Sequence, residues 1–226
     1  MKGYLGQVVA IVRKDLTVEL RTRQRIGTMA GFAVLVGVLF NYAFDPTVIR
    51  PQDLASGLIW ITLVFAGLLG VGRTFQLEAE DGAFQGLLLT PIPRDALYLG
   101  KVVSNIILVE AVVLLVLGVF GVFFHLDYGH HPWALLTILS LGTVGFVALA
   151  TLFGAVASGT TLGESLLPIL LFPLLVPMVV YGVSASGRLL AGRPLVEVAG
   201  NIRMLGAFAL IAVAVGAGLF RFVVEE

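Results

Sequence analysis

Charged residues divide the chain into long apolar stretches, each about the length needed to cross a bilayer. Ile26–Phe44 and Leu54–Gly72 each run 19 residues without a charged side chain. About 20 apolar residues, rising roughly 1.5 Å each, span the hydrocarbon core of about 30 Å. Helices that are apolar all round need lipid around them, so the pattern predicts an integral membrane protein. It predicts one all-α transmembrane domain over residues 1–226 with six spans, at 26–44, 54–72, 102–124, 133–157, 166–187 and 204–220.

The fifth span differs from the others because it contains three prolines. Proline removes a backbone donor and clashes with the preceding turn, and in membranes neighbouring helices can satisfy the freed carbonyls. We therefore expect this span to be kinked or partly unwound at Pro168, Pro173 and Pro177.

The segment before the first span has a helical repeat of its own. Over residues 4–25 apolar side chains recur every three or four positions, whereas Arg13, Lys14 and Arg21 fall largely on other sides of the helix. This predicts a basic amphipathic helix lying in the membrane interface, and the alternative is a flank that only sets topology.

The loop over residues 73–101 is the largest polar segment on the side of the membrane where the N-terminal segment lies. An acidic stretch ends at a turn, an apolar stretch follows, and Pro91 and Pro93 close it. Exposed leucines are poorly suited to a solvated connector, so we expect a partner protein to cover them, a structural hairpin being the alternative. The residues assigned to this surface are Glu78, Glu80, Asp81, Gly82, Phe84, Leu87 and Leu88.

Composition and charge agree with a membrane location. The chain is 58% hydrophobic and 12% charged, against about 25% charged in soluble domains. Its net charge of zero gives no reason to expect nucleic acid as a partner. Ten of the 14 Lys and Arg residues lie on the side of the N-terminus, which predicts that both termini are cytoplasmic.

Few side chains offer chemistry. Without cysteine there is no thiolate catalysis or thiolate metal site, and no catalytic constellation is apparent, so we do not expect an enzyme. Glu110, within the third span, is either a functional acid or a helix-packing group. The histidines fall in one short outer loop, where we expect them to be solvated rather than to hold iron; they are His125, His130 and His131.

The stretch from Gly57 to Pro93 resembles a known family. GLIW at 57–60, then F-x-x-E-x-E-D-G-A-F-x-G-L-L-L-T-P-I-P and a lysine eight residues later, are similar to the CcmB family, as is LLPILLFPLLVP at 166–177. That family comprises membrane subunits of the ABC-type complex for cytochrome c maturation. The resemblance implies an ABC-2-like permease in the bacterial inner membrane, with a coupling helix between spans two and three.

The resemblance also implies partners: an ABC ATPase subunit, CcmC-like and CcmD-like membrane subunits, and a haem chaperone. The chain lacks a G-x-x-x-x-G-K-[ST] motif, so ATP and Mg²⁺ are expected in the partner ATPase, and haem is handled by the complex rather than bound as a cofactor here. Two alternatives stay open: a generic ABC-2 exporter permease for a lipid, drug or polysaccharide, and a passive scaffold.

Overall fold

The computed structural model describes residues 3–44, 50–75, 86, 92–129, 131–158 and 163–224. Every long regular element among them is an α-helix, and six helices are long and apolar enough to cross a membrane. The predicted all-α fold with six spans is therefore confirmed. The helices are α1 (Tyr4–Thr22), α2 (Gln24–Ala43), α3 (Pro51–Val71), α4 (Arg94–Phe124), α5 (Pro132–Ser158), α6 (Gly163–Leu190) and α7 (Ala199–Val224).

The six spans alternate in direction, so the bundle has two ends. We call the end that carries α1, the end of α3 and the start of α4 the N-terminal end. The other is the opposite end, where Leu195–Glu197 forms a short 3₁₀ turn before α7. Helix α5 is the central element, packing against α4, α6 and α7 and touching α3.

Close helix packing depends on glycines that face large side chains. Trp60 of α3 is fully buried, and Gly142 of α5 and Gly182 of α6 lie against its indole ring. A methyl group at either glycine would overlap the ring. The indole Nε1–H donates to Ser186 Oγ at 3.0 Å, so the polar edge of the ring is satisfied inside the bundle.

Two features of helix shape bear on the predicted spans. Helix α6 is continuous through all three prolines, so of the two outcomes expected there, a kink or partial unwinding, the kink at Pro168, Pro173 and Pro177 stays a prediction. Helix α4 begins at Arg94, before the predicted start of the third span. Lys101, counted in the sequence as a flanking charge, therefore lies inside this helix.

Candidate coupling site

The residues assigned to a partner surface lie outside the part of the chain that the structure describes. They are Glu78, Glu80, Asp81, Gly82, Phe84, Leu87 and Leu88. What the structure does describe is how the segment leaves and rejoins the bundle. Residues 73–75 are helical and follow α3, and Ile92 and Pro93 precede α4. Around these two points the bundle contains a set of buried polar side chains.

Asn105 of α4 is the centre of this set. Its Oδ1 accepts hydrogen bonds from the Arg25 guanidinium and from Thr74 Oγ1, the latter at 3.1 Å. Its Nδ2 donates to Thr151 Oγ1 of α5 at 3.2 Å. The Arg25 Nε–H donates to the Gly70 carbonyl oxygen at 2.9 Å. One amide thus joins the first four spans, consistent with the tendency of buried polar groups to be fully hydrogen-bonded.

A buried ion pair attaches α1 to the same end of α4. Lys101 Nζ lies 3.1 Å from Asp15 Oδ2, and the two side chains are only 1% and 6% exposed. Ser104 Oγ donates to the same carboxylate at 3.1 Å. Gly100 allows the close approach, because a Cβ there would lie 2.7 Å from Ile11 Cγ2. Removing one partner of such a pair costs about 3–5 kcal/mol, since the other charge is left buried.

A tight corner holds α1 against the first span. Arg23 has φ 52°, and its N–H donates to the Glu19 carbonyl oxygen at 2.7 Å. The Glu19 side chain then accepts a hydrogen bond from the Ile26 N–H at 2.8 Å, capping the start of α2. A left-handed conformation costs a non-glycine residue roughly 1–2 kcal/mol. These two bonds offset that cost and fix the angle at which α1 leaves the bundle.

We call the buried polar residues at this end of the bundle the buried polar layer. The sequence did not predict that they form a site. They are Asp15, Glu19, Arg25, Thr74, Lys101, Ser104, Asn105 and Thr151. Arg25 and Lys101 were interpreted as flanking charges, and the structure shows both inside the bundle, 5% and 1% exposed. One signal was present: Ile11, Asp15 and Glu19 recur every four residues along α1, so two acids share one helical face.

An aromatic cluster lies beside the layer at the same end. The rings of Phe75 and Tyr98 both face Phe220 of α7, at centroid distances of 6.2 and 5.3 Å. Lys101 Nζ lies 5.8 Å from the Phe75 ring centroid. The Tyr98 hydroxyl donates to the Ala148 carbonyl oxygen at 2.9 Å. Phe75 thus connects the start of the 76–91 segment to α4 and α7.

The remaining predicted residues lie away from this layer. Glu110 is half-buried near the middle of α4 and hydrogen-bonds to Ser140 of α5. His125, exposed, ends α4 in a left-handed conformation, and His131 precedes α5; His130 is outside the described residues. Within the described residues, no three His, Asp or Glu side chains are grouped as a metal site.

The comparison with protein families covers almost the whole chain. The family model described as CcmB protein matches residues 6–223. The chain belongs to the CcmB family. Its relatives include Heme exporter protein B of Rhodobacter capsulatus, 30% identical over 79% of this chain and 82% of the relative. The Paracoccus denitrificans protein of that name is 29% identical over 81% of this chain and 84% of the relative. The Haemophilus influenzae protein of that name is 28% identical over 90% of each chain.

Membership of the CcmB family and the six apolar helices together establish a multi-pass membrane protein. The family resemblance drawn from the 57–93 and 166–177 stretches is confirmed. The buried polar layer is then a polar site in a CcmB protein, at the points where the longest loop between its spans leaves and enters the membrane domain.

Proposed function

We propose that this CcmB-family chain is the permease subunit of an ABC-type complex for cytochrome c maturation, worked by a partner ATPase that docks on the 73–101 segment. Its relatives are named Heme exporter protein B, which supports a role in haem export. The observation that carries the coupling is the position of the buried polar layer. Thr74 precedes the segment 76–91 and Lys101 follows it, and both belong to that layer.

The layer is suited to transmitting movement. Side chains held by several short hydrogen bonds in a low-dielectric interior shift as a unit, because leaving any one partner unsatisfied is costly. Movement of the loop would therefore displace Thr74 and Lys101 and, through Asn105, reach α2 and α5 together. Helix α1 would follow through Asp15. The result is a concerted movement of several helices rather than a local movement of the loop.

The proposed output is haem export or release of a haem-loaded chaperone. The partners are an ABC ATPase that holds ATP and Mg²⁺, CcmC-like and CcmD-like membrane subunits, and the haem chaperone. We place the N-terminal end in the cytoplasm of a bacterial inner membrane. Once the buried Arg25 and Lys101 are set aside, eight Lys and Arg residues remain at that end against four at the other.

Charge reversal in the loop tests ATPase docking. The double change Glu80→Lys and Asp81→Lys should abolish copurification of the co-expressed ATPase and leave membrane insertion intact, because neither residue lies in a predicted span. The amount of ATPase retained on the tagged chain is measured in mild detergent. Unchanged retention would refute docking on this segment.

Asn105→Leu tests coupling separately from docking. The ATPase should still copurify, whereas assembly of cytochrome c should fall about 5- to 150-fold, the range of a coupling free energy of 1–3 kcal/mol. Arg13→Gln is the matched control, since Arg13 is an exposed cation on α1. Full cytochrome c assembly in the Asn105→Leu strain would show that the buried polar layer does not transmit movement from the loop to the bundle.

A groove on the bundle supports a second candidate, an exporter of amphipathic molecules through this chain. It encloses about 480 Å³ and is lined by Phe32, Phe65 and Phe172, with Arg73 at one end. The Phe65 ring lies between the other two rings and is tilted against each, at centroid distances of 6.3 and 5.7 Å. Such a surface fits an apolar body with an anionic group, which describes both haem and a lipid.

Filling the groove tests whether haem passes through it. Phe172→Trp should abolish cytochrome c assembly if haem takes this route, with ATPase retention unchanged. Ile169→Trp is the control, because Ile169 is 64% exposed on the same helix and does not line the groove. Normal assembly in the Phe172→Trp strain would exclude this route and favour conformational work on partner subunits.

A further inference from the structure

Two arginines from distant parts of the chain line one groove at the N-terminal end of the bundle. Arg94 begins α4, and Arg221 lies three residues before the end of α7. The groove encloses about 580 Å³, and its other lining residues are Asp95, Ala217 and Gly218. That volume falls within the range of about 300–1,000 Å³ that is typical of small-molecule sites. The groove shares no lining residue with the aromatic groove described above.

Neither arginine is neutralised within the described part of the chain. No ion pair joins either guanidinium group to an acid there, and Arg221 Cζ lies 4.5 Å from the ring centroid of its neighbour Phe222. Asp95, the acid that lines the groove, instead accepts a hydrogen bond from the Tyr4 hydroxyl at 3.0 Å. Two guanidinium groups that line one groove repel each other, so an anion bound between them is favourable.

An apolar strip of α7 leads from the groove towards the middle of the membrane. Ile211 and Val215 lie on the same side of the helix as Gly218, at spacings of four and three residues, and are 62% and 43% exposed. Because α7 is long and apolar enough to cross a membrane, this strip lies in the hydrocarbon core. A Cβ added at Gly218 would meet nothing within 4 Å, so the helix backbone there is open to the groove. The site thus combines two cations near a helix end with an apolar strip below them.

We propose that the groove binds the phosphate headgroup of an anionic phospholipid, whose acyl chains lie along the exposed strip of α7. Guanidinium groups bind phosphate oxygens through paired hydrogen bonds, and basic pockets between transmembrane helices bind anionic headgroups. A soluble phosphate would pair with the cations but gain nothing from the strip, and an apolar helix would leave the cations unpaired. A zwitterionic phospholipid would bring a cation of its own to the two arginines. An anionic lipid matches both parts of the site and surrounds the chain in any membrane that contains it.

Lipid titration of the detergent-solubilised full chain tests the role of charge. Native mass spectrometry compares the affinities for phosphatidylglycerol and phosphatidylcholine, with no ATPase or haem present, so the result does not depend on the proposed function. The wild-type chain should prefer phosphatidylglycerol about 30-fold, and Arg94→Gln or Arg221→Gln should each lower this preference about 5-fold, factors that correspond to about 1 kcal/mol per cation. The double variant should abolish it. Arg21→Gln is the matched control, because Arg21 is an exposed arginine at the same end that does not line the groove.

Two results of the titration would overturn the proposal. One is equal affinity of the wild-type chain for the two lipids, and the other is an unchanged preference in the double arginine variant. The full chain includes Glu225 and Glu226, so an acid of the chain itself that filled the groove would appear as absence of the preference.

Filling the groove tests the position of the site without altering its charge. Gly218→Leu adds a side chain in the open space of the groove and keeps both arginines, so it should lower the preference for phosphatidylglycerol at least about 5-fold. Gly206→Leu adds the same side chain at another glycine of α7 that has nothing within 4 Å and lies outside the groove, and it should leave the preference unchanged. Leucine is a better helix former than glycine, so both variants should fold, which thermal unfolding verifies. A full preference in Gly218→Leu would overturn the proposal.

Protection of a single thiol distinguishes a lipid from a soluble anion. The chain has no cysteine, so Gly218→Cys places its only thiol in the groove. Phosphatidylglycerol at four times its dissociation constant should slow the reaction with N-ethylmaleimide about fivefold, whereas phosphatidylcholine should not. Gln24→Cys, exposed at the same end, controls for any general effect of anionic lipid on thiol reactivity. Absence of protection by phosphatidylglycerol, or equal protection by inorganic phosphate in detergent without lipid, would overturn the assignment to a lipid headgroup.

Discussion

The buried ion pair between Asp15 and Lys101 gives the sharpest prediction for stability. Asp15→Leu removes the carboxylate and leaves the Lys101 ammonium group, 1% exposed, without the acid that faces it at 3.1 Å. The loss should be about 3–5 kcal/mol, the range for removing one partner of a buried pair. For a chain of this size 1 kcal/mol corresponds to roughly 2–4 °C, so the melting temperature should fall by about 6–20 °C.

The double variant Asp15→Leu with Lys101→Met makes the prediction specific. Replacing both members of a buried pair by apolar side chains of similar size is often neutral or stabilising. Ser104 Oγ keeps a partner in either case, because it also lies 3.0 Å from the Lys101 carbonyl oxygen. The double variant should therefore recover most of the lost stability.

The assay is thermal unfolding of the detergent-solubilised chain, followed by tryptophan fluorescence. Trp60 is fully buried and reports on the opening of the bundle. Lys14→Ala serves as control: its ammonium group lies 3.3 Å from the same carboxylate but the side chain is 41% exposed, so the shift should be small. An unchanged melting temperature in Asp15→Leu, or a double variant no more stable than the single one, would refute the reasoning.

Three further predictions concern other parts of the bundle. Gly216→Ala should destabilise the chain by about 1–3 kcal/mol, because the added methyl group overlaps the Tyr98 ring. Gly218→Ala lies in open space and should stabilise the chain by up to about 1 kcal/mol. Thermal unfolding of both variants measures the two changes in stability. Burial raises the pKa of Tyr128 to about 12, and its hydroxyl donates to the Leu117 carbonyl oxygen, so its stabilising effect should be complete below pH 10 and be lost as the pH rises towards 12. A melting curve whose alkaline decline is the same in Tyr128→Phe would contradict that assignment. A variant with His125, His130 and His131 all changed to Ala should retain cytochrome c assembly and any haem absorbance of the complex. Loss of the haem band at normal protein abundance would show that the outer loop binds haem.

The arrangement of α1 shows where inference from sequence was incomplete. The apolar repeat along residues 4–25 predicted a helix, and α1 is helical from Tyr4 to Thr22. Part of that apolar stripe is exposed on the bundle, with Leu5 at 76% and Leu20 at 73%. The helix instead packs on α4 through another face, which includes Asp15. An amphipathic pattern identifies an apolar face, but it does not say whether lipid or protein covers that face.

The sequence by itself determined that the chain is helical and has six segments able to cross a membrane. This follows because lipid satisfies no backbone hydrogen bonds, so each crossing must be a long, uninterrupted apolar helix that is visible in the sequence. The tertiary structure alone decided which polar side chains meet. Arg25 and Asn105 are 80 residues apart, and Asp15 and Lys101 are 86 apart. In a bundle whose helices are apolar on every side, hydrophobic periodicity does not mark the buried face. The sequence also does not show whether a cation near a helix end lies in water or against an acid on another helix.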